Sequence, residues 1–271
     1  MLGKLIKYEF KYTSKTMLIT YAALAVATLM GAFALYRLNF KTADDGTFVS
    51  IMSIVMVVLY AIVIIGVYCV DFIYLCYYYH KTMYSSQGYL THTLPLSPAA
   101  IFGAKILVFF VWMLVSTLLS VFSFLILLQA GTDGSFLEEV TSLTWSDFSE
   151  DVFSIFGMSA SLLLVLFTVI SLLGILLYIL WITASMAIGQ LSRKNRTVCS
   201  ILTAFCFYII NQVVNTLILV ACGYSTGALL NGDLTSFMHL IIGSSITMTV
   251  VFIAVLYGIC IYVNKKKLNL E

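Results

Sequence analysis

The chain has 271 residues, of which 62% are hydrophobic and only 10% are charged, and its mean hydropathy is +1.05. A soluble domain averages about 45–50% apolar and about 25% charged residues, so this composition excludes an ordinary water-surrounded fold. The formal net charge of +2 is too small to indicate a nucleic-acid partner.

Apolar stretches of membrane-spanning length recur along the whole chain. A bilayer core about 30 Å thick needs roughly 20 apolar residues for each helical span. The stretches that meet this length are 16–38, 49–74, 105–129, 157–189, 198–221 and 238–263. They predict an all-α polytopic membrane protein with six transmembrane helices, forming a single transmembrane domain over residues 1–271 with little chain left over.

The basic residues are distributed unequally between the two predicted sides of the membrane. With six spans, 12 of the 14 lysines and arginines fall on the side of the two termini, and only Arg37 and Lys41 fall on the other. Nine of the twelve acidic residues lie on the opposite side. Because cytoplasmic loops carry an excess of basic residues, we expect both termini in the cytoplasm. An odd number of spans would destroy this sorting.

The N-terminal segment, residues 1–15, carries a cationic face. Its four lysines fall within about 80° of one another on a helical wheel, with apolar residues opposite. These lysines are Lys4, Lys7, Lys11 and Lys15. The pattern predicts an interfacial amphipathic helix that lies along anionic lipid headgroups.

Two acidic residues fall on predicted membrane elements. Glu9 lies on the apolar side of the N-terminal segment, so its carboxylate either reaches water or pairs with Lys105, Arg193 or a partner protein. Asp71 is the only acidic residue within a predicted span, and such a carboxylate is by default a functional candidate. Its position near the cytoplasmic end of the span favours an interpretation in which it reaches water or forms a salt bridge.

The cytoplasmic loop over 75–104 is longer than a simple connector and holds both prolines of the chain. Gly88 allows a sharp turn, and Ser97 can cap a new helix that has Pro98 at its first position. An apolar, charge-poor loop on this side favours a docking surface over a plain connector. The candidate docking residues are Gln87, Gly88, Tyr89, Leu90, Thr91, His92, Thr93 and Leu94.

A row of polar side chains follows the predicted fifth span at a spacing of four residues. Amides in hydrocarbon need partners, and each interhelical hydrogen bond contributes about 0.6–2 kcal/mol, which favours simple attachment between helices. The alternative is a row that lines a substrate path or a dimer seam. The row consists of Thr203, Asn211 and Asn215, with Phe207 among them and Gln212 adjacent.

These features together resemble the permeases of type-2 ATP-binding-cassette (ABC) exporters, and most closely the small six-span permeases of Gram-positive bacteria. The resemblance covers the whole chain: the lysine-rich start with Tyr8-Glu9-Phe10-Lys11, the six spans, and a loop motif that leads to Lys105. That motif reads Ser86-Gln87-Gly88-Tyr89-Leu90-Thr91-His92-Thr93-Leu94-Pro95-Leu96-Ser97.

The resemblance implies a role for each of these segments. Residues 87–94 would form the coupling helix that docks on a separate cytoplasmic ATPase subunit, and residues 1–15 would form the elbow helix. ATP and Mg²⁺ would be bound by the partner subunit, and two permeases, identical or different, would dimerise in the bacterial plasma membrane. On the outer side the chain departs from the family, because many members have a helical hairpin between the last two spans, whereas here 222–237 is short and the extracellular loop predicted from the charge distribution, 130–156, is longer.

Other functional classes are less favoured. No G-x-x-x-x-G-K-[ST] phosphate loop and no hydrolase motif occurs, so we expect no enzymatic activity in the chain itself. The three histidines are too scattered for a metal centre, and the six cysteines show no ligand spacing. An ion-driven secondary transporter is the first alternative, although that class places charges or broken helices at mid-membrane. A non-transporting scaffold or sensor is the second.

Overall fold

The computed structural model describes residues 2–39, 47–85, 87–88, 91, 93, 97–132, 135–136, 138, 145–192, 195–225 and 234–266. Within these ranges the regular structure is entirely helical. The helices are α1 (Leu2–Asn39), α2 (Thr47–Met83), α3 (Pro98–Gly131), α4 (Trp145–Phe156), α5 (Ala160–Gly189), α6 (Arg196–Ser225) and α7 (Leu234–Lys266).

Six of these helices, all except α4, are long and apolar enough to cross a membrane. The predicted all-α polytopic fold is therefore confirmed. The candidate spans are 29 to 36 residues long, more than the roughly 20 needed for a perpendicular crossing, so they tilt or extend beyond the hydrocarbon. They are Leu2–Arg37, Ile51–Met83, Pro98–Gly131, Ala160–Gly189, Arg196–Tyr224 and Thr235–Lys265.

Several boundaries differ from those expected. The N-terminal amphipathic segment is not a separate helix, because α1 continues without a break through the expected boundary at residue 15. The hydroxyls of Thr13 and Ser14 donate to carbonyl groups of their own helix, so neither interrupts it. The fourth span begins at Ala160 and not at 157, because Gly157 has a φ of 66° and separates α4 from α5.

The chain divides into two compact units. The smaller unit comprises Gly3–Leu75 and Val111–Thr144, and the larger unit comprises Met1–Leu2, Cys76–Phe110 and Trp145–Glu271. The division passes through α2 and α3, so each of these helices contributes one part to each unit.

The smaller unit combines an apolar cluster with hydrogen bonds between helices. Ala27, Tyr60 and Leu127 form the buried cluster, one residue each from α1, α2 and α3. Beside them the hydroxyl of Ser123 lies 2.6 Å from that of Thr28 and 2.8 Å from that of Tyr60. Because lipid removes much of the hydrophobic drive for helix association, such close packing and hydrogen bonding hold the three helices together.

In the larger unit, α5 packs against α6 and α7, and α6 packs against α7. The short helix α4 lies against α5 and α7. Val152, Met158, Ala160 and Leu163 form a buried cluster where α4 turns into α5. The α4–α5 turn is therefore held against α5 and α7.

A very close approach in the larger unit occurs where α5 ends beside α6. A Cβ atom added to Gly189 would lie 2.8 Å from Cα of Ser200 and nearer still to its hydroxyl oxygen. Only a residue without a side chain allows the two backbones to come this close. Gly189 therefore sets the crossing of α5 and α6.

We predict that Gly189→Ala destabilises the protein by about 1–3 kcal/mol, since the added methyl group overpacks a contact made partly by backbone. Gly174→Ala on the same helix is the matched control, because a Cβ atom there would meet nothing within 4 Å. Thermal unfolding of the purified variants in detergent measures both. Equal melting temperatures would contradict the proposed contact.

Candidate functional site

The connection between α2 and α3 is shorter than the predicted loop over 75–104. Residues 75–83 belong to α2 and residues 98–104 to α3, which leaves 84–97 as the connection. At its end, the Ser97 hydroxyl oxygen accepts a hydrogen bond of 3.3 Å from the N–H of Ala100. The predicted cap of α3, with Pro98 as its first residue, is therefore confirmed.

The first part of this connection folds back onto the end of α2. The Thr91 hydroxyl lies 3.1 Å from the carbonyl oxygens of both Thr82 and Gln87, and the Gly88 N–H donates to the Ser85 carbonyl at 2.7 Å. Gly88 is buried, and a Cβ atom on it would lie only 2.5 Å from the Met83 carbonyl oxygen. A glycine is thus required where the loop touches α2.

The predicted docking residues are only partly covered by the structure. Gln87 and Thr93 are exposed and Thr91 is half-buried. The remaining four, Tyr89, Leu90, His92 and Leu94, lie outside the described residues. Their role in docking stays a prediction from the sequence.

Behind the loop, a buried lysine joins α3 to the end of α2. The Lys105 ammonium group donates to the Thr82 hydroxyl at 2.9 Å and lies 5.3 Å from the centre of the Tyr78 ring. Both contacts stabilise a charge that is almost completely removed from solvent. Because the Thr82 carbonyl also accepts from Thr91, Thr82 connects Lys105 to the loop.

The expected salt link of Glu9 with Lys105 or Arg193 stays a prediction. Glu9 is buried on α1, which disfavours the alternative in which its carboxylate reaches water. Arg193 lies outside the described residues.

An aromatic cluster surrounds the same end of α2, which the sequence did not single out. Tyr79 is fully buried, with its ring centre 5.6 Å from that of Tyr84 and 6.5 Å from that of Phe102. The Tyr84 hydroxyl makes a long contact of 3.4 Å with the Asn264 side-chain oxygen on α7. Burial raises the pKa of Tyr84 above its usual value, so the phenol stays protonated and remains a donor. In the sequence, the feature that indicates this aromatic cluster is the run of three tyrosines at 77–79.

Asp71 occupies a buried position in the smaller unit. It is fully buried, and the Ser116 hydroxyl donates to one carboxyl oxygen at 2.6 Å. The Tyr21 hydroxyl lies 2.9 Å from the Ser116 hydroxyl and donates to the Trp112 carbonyl at 3.1 Å. The expectation that Asp71 reaches water is therefore wrong, because side chains of α1 and α3 enclose it.

The second carboxyl oxygen of Asp71 has no hydrogen-bond partner within the part of the chain that the structure describes. A buried carboxyl group with one unused oxygen is costly, which makes the remaining hydrogen bond from Ser116 important. Ser120, one turn further along α3, is also buried, and its hydroxyl has no partner in that same part of the chain.

We predict that Ser116→Ala lowers the free energy of unfolding by about 1–3 kcal/mol, because it removes the donor to Asp71. Ser120→Ala deletes the same atom from the same helix without breaking a hydrogen bond and should cost far less. Unfolding of the purified variants by added SDS compares the two. A Ser120→Ala loss as large as that of Ser116→Ala would mean that packing, and not the Asp71 contact, dominates.

The polar row of the fifth span is not a single functional face. Asn211 and Phe207 line a cavity, whereas Thr203 donates to the carbonyl of Cys199 on its own helix. Gln212 is exposed on the helix surface, and Asn215 is half-buried away from the cavity. Of the four predicted polar residues, Asn211 is therefore the one that lines this cavity.

The cavity has a volume of about 190 Å³ and lies between α5, α6 and α7 of the larger unit. Its wall is mostly aromatic. The lining residues are Gly174, Leu177, Tyr178, Trp181, Phe207, Tyr208, Asn211, Phe252 and Leu256. In the sequence, an aromatic site on α5 is indicated by Tyr178 and Trp181, which lie three residues apart on one span.

Comparison with models of known protein families, with curated protein sequences and with solved structures found no match. The six apolar helices define the chain as a multi-pass α-helical membrane protein, an architecture that fits a transporter subunit.

We predict that Gly88→Ala loosens the connection between α2 and α3, because a methyl group cannot fit against the Met83 carbonyl. Gly103→Ala is the control, since a Cβ atom there meets nothing within 4 Å. Hydrogen–deuterium exchange should show faster exchange in peptides covering 84–97 for Gly88→Ala only. Unchanged exchange would show that the loop does not depend on this close approach.

Proposed function

We propose that the chain is the transmembrane permease subunit of an ABC exporter, which moves its substrate with ATP hydrolysed by a separate cytoplasmic ATPase subunit. The observation that carries this proposal is the α2–α3 connection. It is charge-poor, held against α2 through Gly88 and Thr91, and backed by the buried Lys105. A plain connector needs no such anchoring.

The anchoring suggests how movement of an ATPase reaches the spans. A displacement of residues 87–94 is transmitted to Thr82 through the hydrogen bond from Thr91. From Thr82 it is transmitted to Lys105 on α3. Tyr84 extends the same route to Asn264 on α7. Because these groups are tightly packed, they transmit a displacement as a rigid-body shift and do not absorb it.

The distribution of charge supports the placement of this loop on the cytoplasmic side, with both termini in the cytoplasm of a bacterial cell. The four lysines of the N-terminal segment are exposed on α1, available to lipid headgroups. ATP and Mg²⁺ are then ligands of the partner subunit.

The surface of α6 supports dimerisation with a second permease. None of the residues in its most apolar stretch is buried, and Gln212 exposes an amide that lipid cannot satisfy. A second six-span chain, identical or different, covers this surface in the proposed exporter.

One observation favours a different function. The buried Asp71 is the kind of intramembrane carboxyl group that ion-driven secondary transporters use. In that alternative the chain works without an ATPase, and Asp71 with Ser116 takes part in ion coupling.

Affinity purification of the tagged chain in mild detergent tests the proposal. We predict that an ABC ATPase co-purifies, and that replacing Tyr89, Leu90 and Leu94 together by Asp reduces its yield at least about tenfold, because charges replace the apolar docking surface. The control places three aspartates on α4, at the exposed apolar positions Trp145, Phe148 and Phe153.

The control variant should retain the ATPase, since α4 lies on the predicted outer side. A wild-type chain that purifies without any ATPase, with or without nucleotide, would contradict the exporter and favour the ion-driven alternative. Retention of the ATPase by the loop variant would contradict the assignment of residues 87–94 alone.

A further inference from the structure

The cavity between α5, α6 and α7 differs from an ordinary packing defect. It is lined on three helices by the aromatic side chains of Tyr178, Trp181, Phe207 and Phe252. Its space exists partly because Gly174 has no side chain there, and a Cβ atom at this position would meet nothing within 4 Å. Aromatic walls around open space favour a ligand, since aromatic side chains gain most from stacked or edge-to-face partners.

The polar groups of the wall restrict the chemistry of that ligand. The Trp181 N–H is already used, because it donates to the Ala204 carbonyl at 3.0 Å. The Asn211 side chain makes no hydrogen bond within the described part of the chain, so its amide is available to a ligand. No charged residue is among the described residues that line the cavity. A charged ligand would lose its hydration there without gaining a counter-charge.

The volume limits the size of the ligand. An apolar cavity of about 150 Å³ in a soluble protein accommodates benzene. A cavity of about 190 Å³ therefore has room for one ring or for a small fused pair. The Asn211 amide offers both a donor and an acceptor, enough for one polar group on such a ring system.

We propose that this cavity is a binding site for a small, uncharged aromatic molecule that carries one hydrogen-bonding group, an indole-like compound. Aromatic faces from α5, α6 and α7 enclose the ring, and Asn211 pairs with its polar group. In the proposed exporter this site would select the transported substrate. Binding itself requires only the chain described here.

The test uses the purified full chain in detergent micelles and follows 5-fluoroindole by ¹⁹F NMR, with empty micelles as the partition control. We expect a saturable signal that empty micelles do not give. Gly174→Leu should fill the cavity and weaken binding at least about tenfold. Gly243→Leu adds the same side chain to α7 at a position that also meets nothing within 4 Å, beside a different cavity, and should bind as the wild type does.

A second variant tests the hydrogen bond and does not depend on filling the cavity. Asn211→Leu keeps the side-chain size and should weaken 5-fluoroindole binding by about two- to tenfold, the effect of one hydrogen bond. It should leave 5-fluoroindene, which lacks the N–H group, unaffected. Equal losses for both compounds would overturn the role of Asn211.

Several outcomes would overturn the site as a whole. These are a signal identical to that of empty micelles, or binding that survives Gly174→Leu in a folded protein. If no probe binds and Gly174→Leu converts a dimer to a monomer in size-exclusion chromatography, the cavity is instead filled by a second copy. No ATPase is present in these measurements, so their failure is distinct from failure of the exporter proposal.

Discussion

Polar atoms inside the bilayer must find partners within the protein, and the arrangement of these helices follows that constraint. Many serines and threonines on the spans donate to carbonyl groups three or four residues earlier, as Thr168 and Ser171 do on α5. Those that reach another helix mark the packed seams, as Ser123 does with Thr28 and Tyr60. The polar side chains thus determine which faces of nearly uniformly apolar helices meet.

The same constraint applies at the end of α2 that belongs to the larger unit. Lys105 would be too costly to bury alone, and Thr82 and the Tyr78 ring stabilise it. Once Thr82 is held in this way, its carbonyl group becomes a fixed attachment for the loop through Thr91. A loop tied to a buried charge moves together with the helices around that charge, which is the property that a coupling element requires.

Packing and hydrogen bonding are less complete among α5, α6 and α7. The turn at Gly189 brings α5 and α6 into backbone contact at one end, while further along the bundle aromatic rings leave open space around Asn211. Tight contact at one end and open space further along therefore both involve α6. In the proposed exporter, the exposed amide of Gln212 on α6 lies on the surface that a second permease would cover.

The sequence by itself determined the features that depend on local chemistry. Hydropathy alone located the six spans, and the Ser97-Pro98 pair located the start of α3, because caps and spans require only neighbouring residues. The amphipathic pattern of residues 1–15 did not reveal that α1 is continuous, since a change in the side chains along a helix does not interrupt its backbone. The functions assigned to the loop and to Glu9 remain sequence predictions.

Only the tertiary structure decided which polar residues are enclosed and which helix faces meet. Asp71 accepts a hydrogen bond from Ser116, 45 positions away, and Lys105 donates one to Thr82, 23 positions away. Asn211 and Gln212 are adjacent in the sequence, yet one lines a cavity and the other is exposed. In a chain this apolar, hydrophobic periodicity does not separate buried from lipid-facing sides, because both are hydrophobic. The physical distinction comes from packing and hydrogen bonds between distant helices, which the order of residues alone does not display.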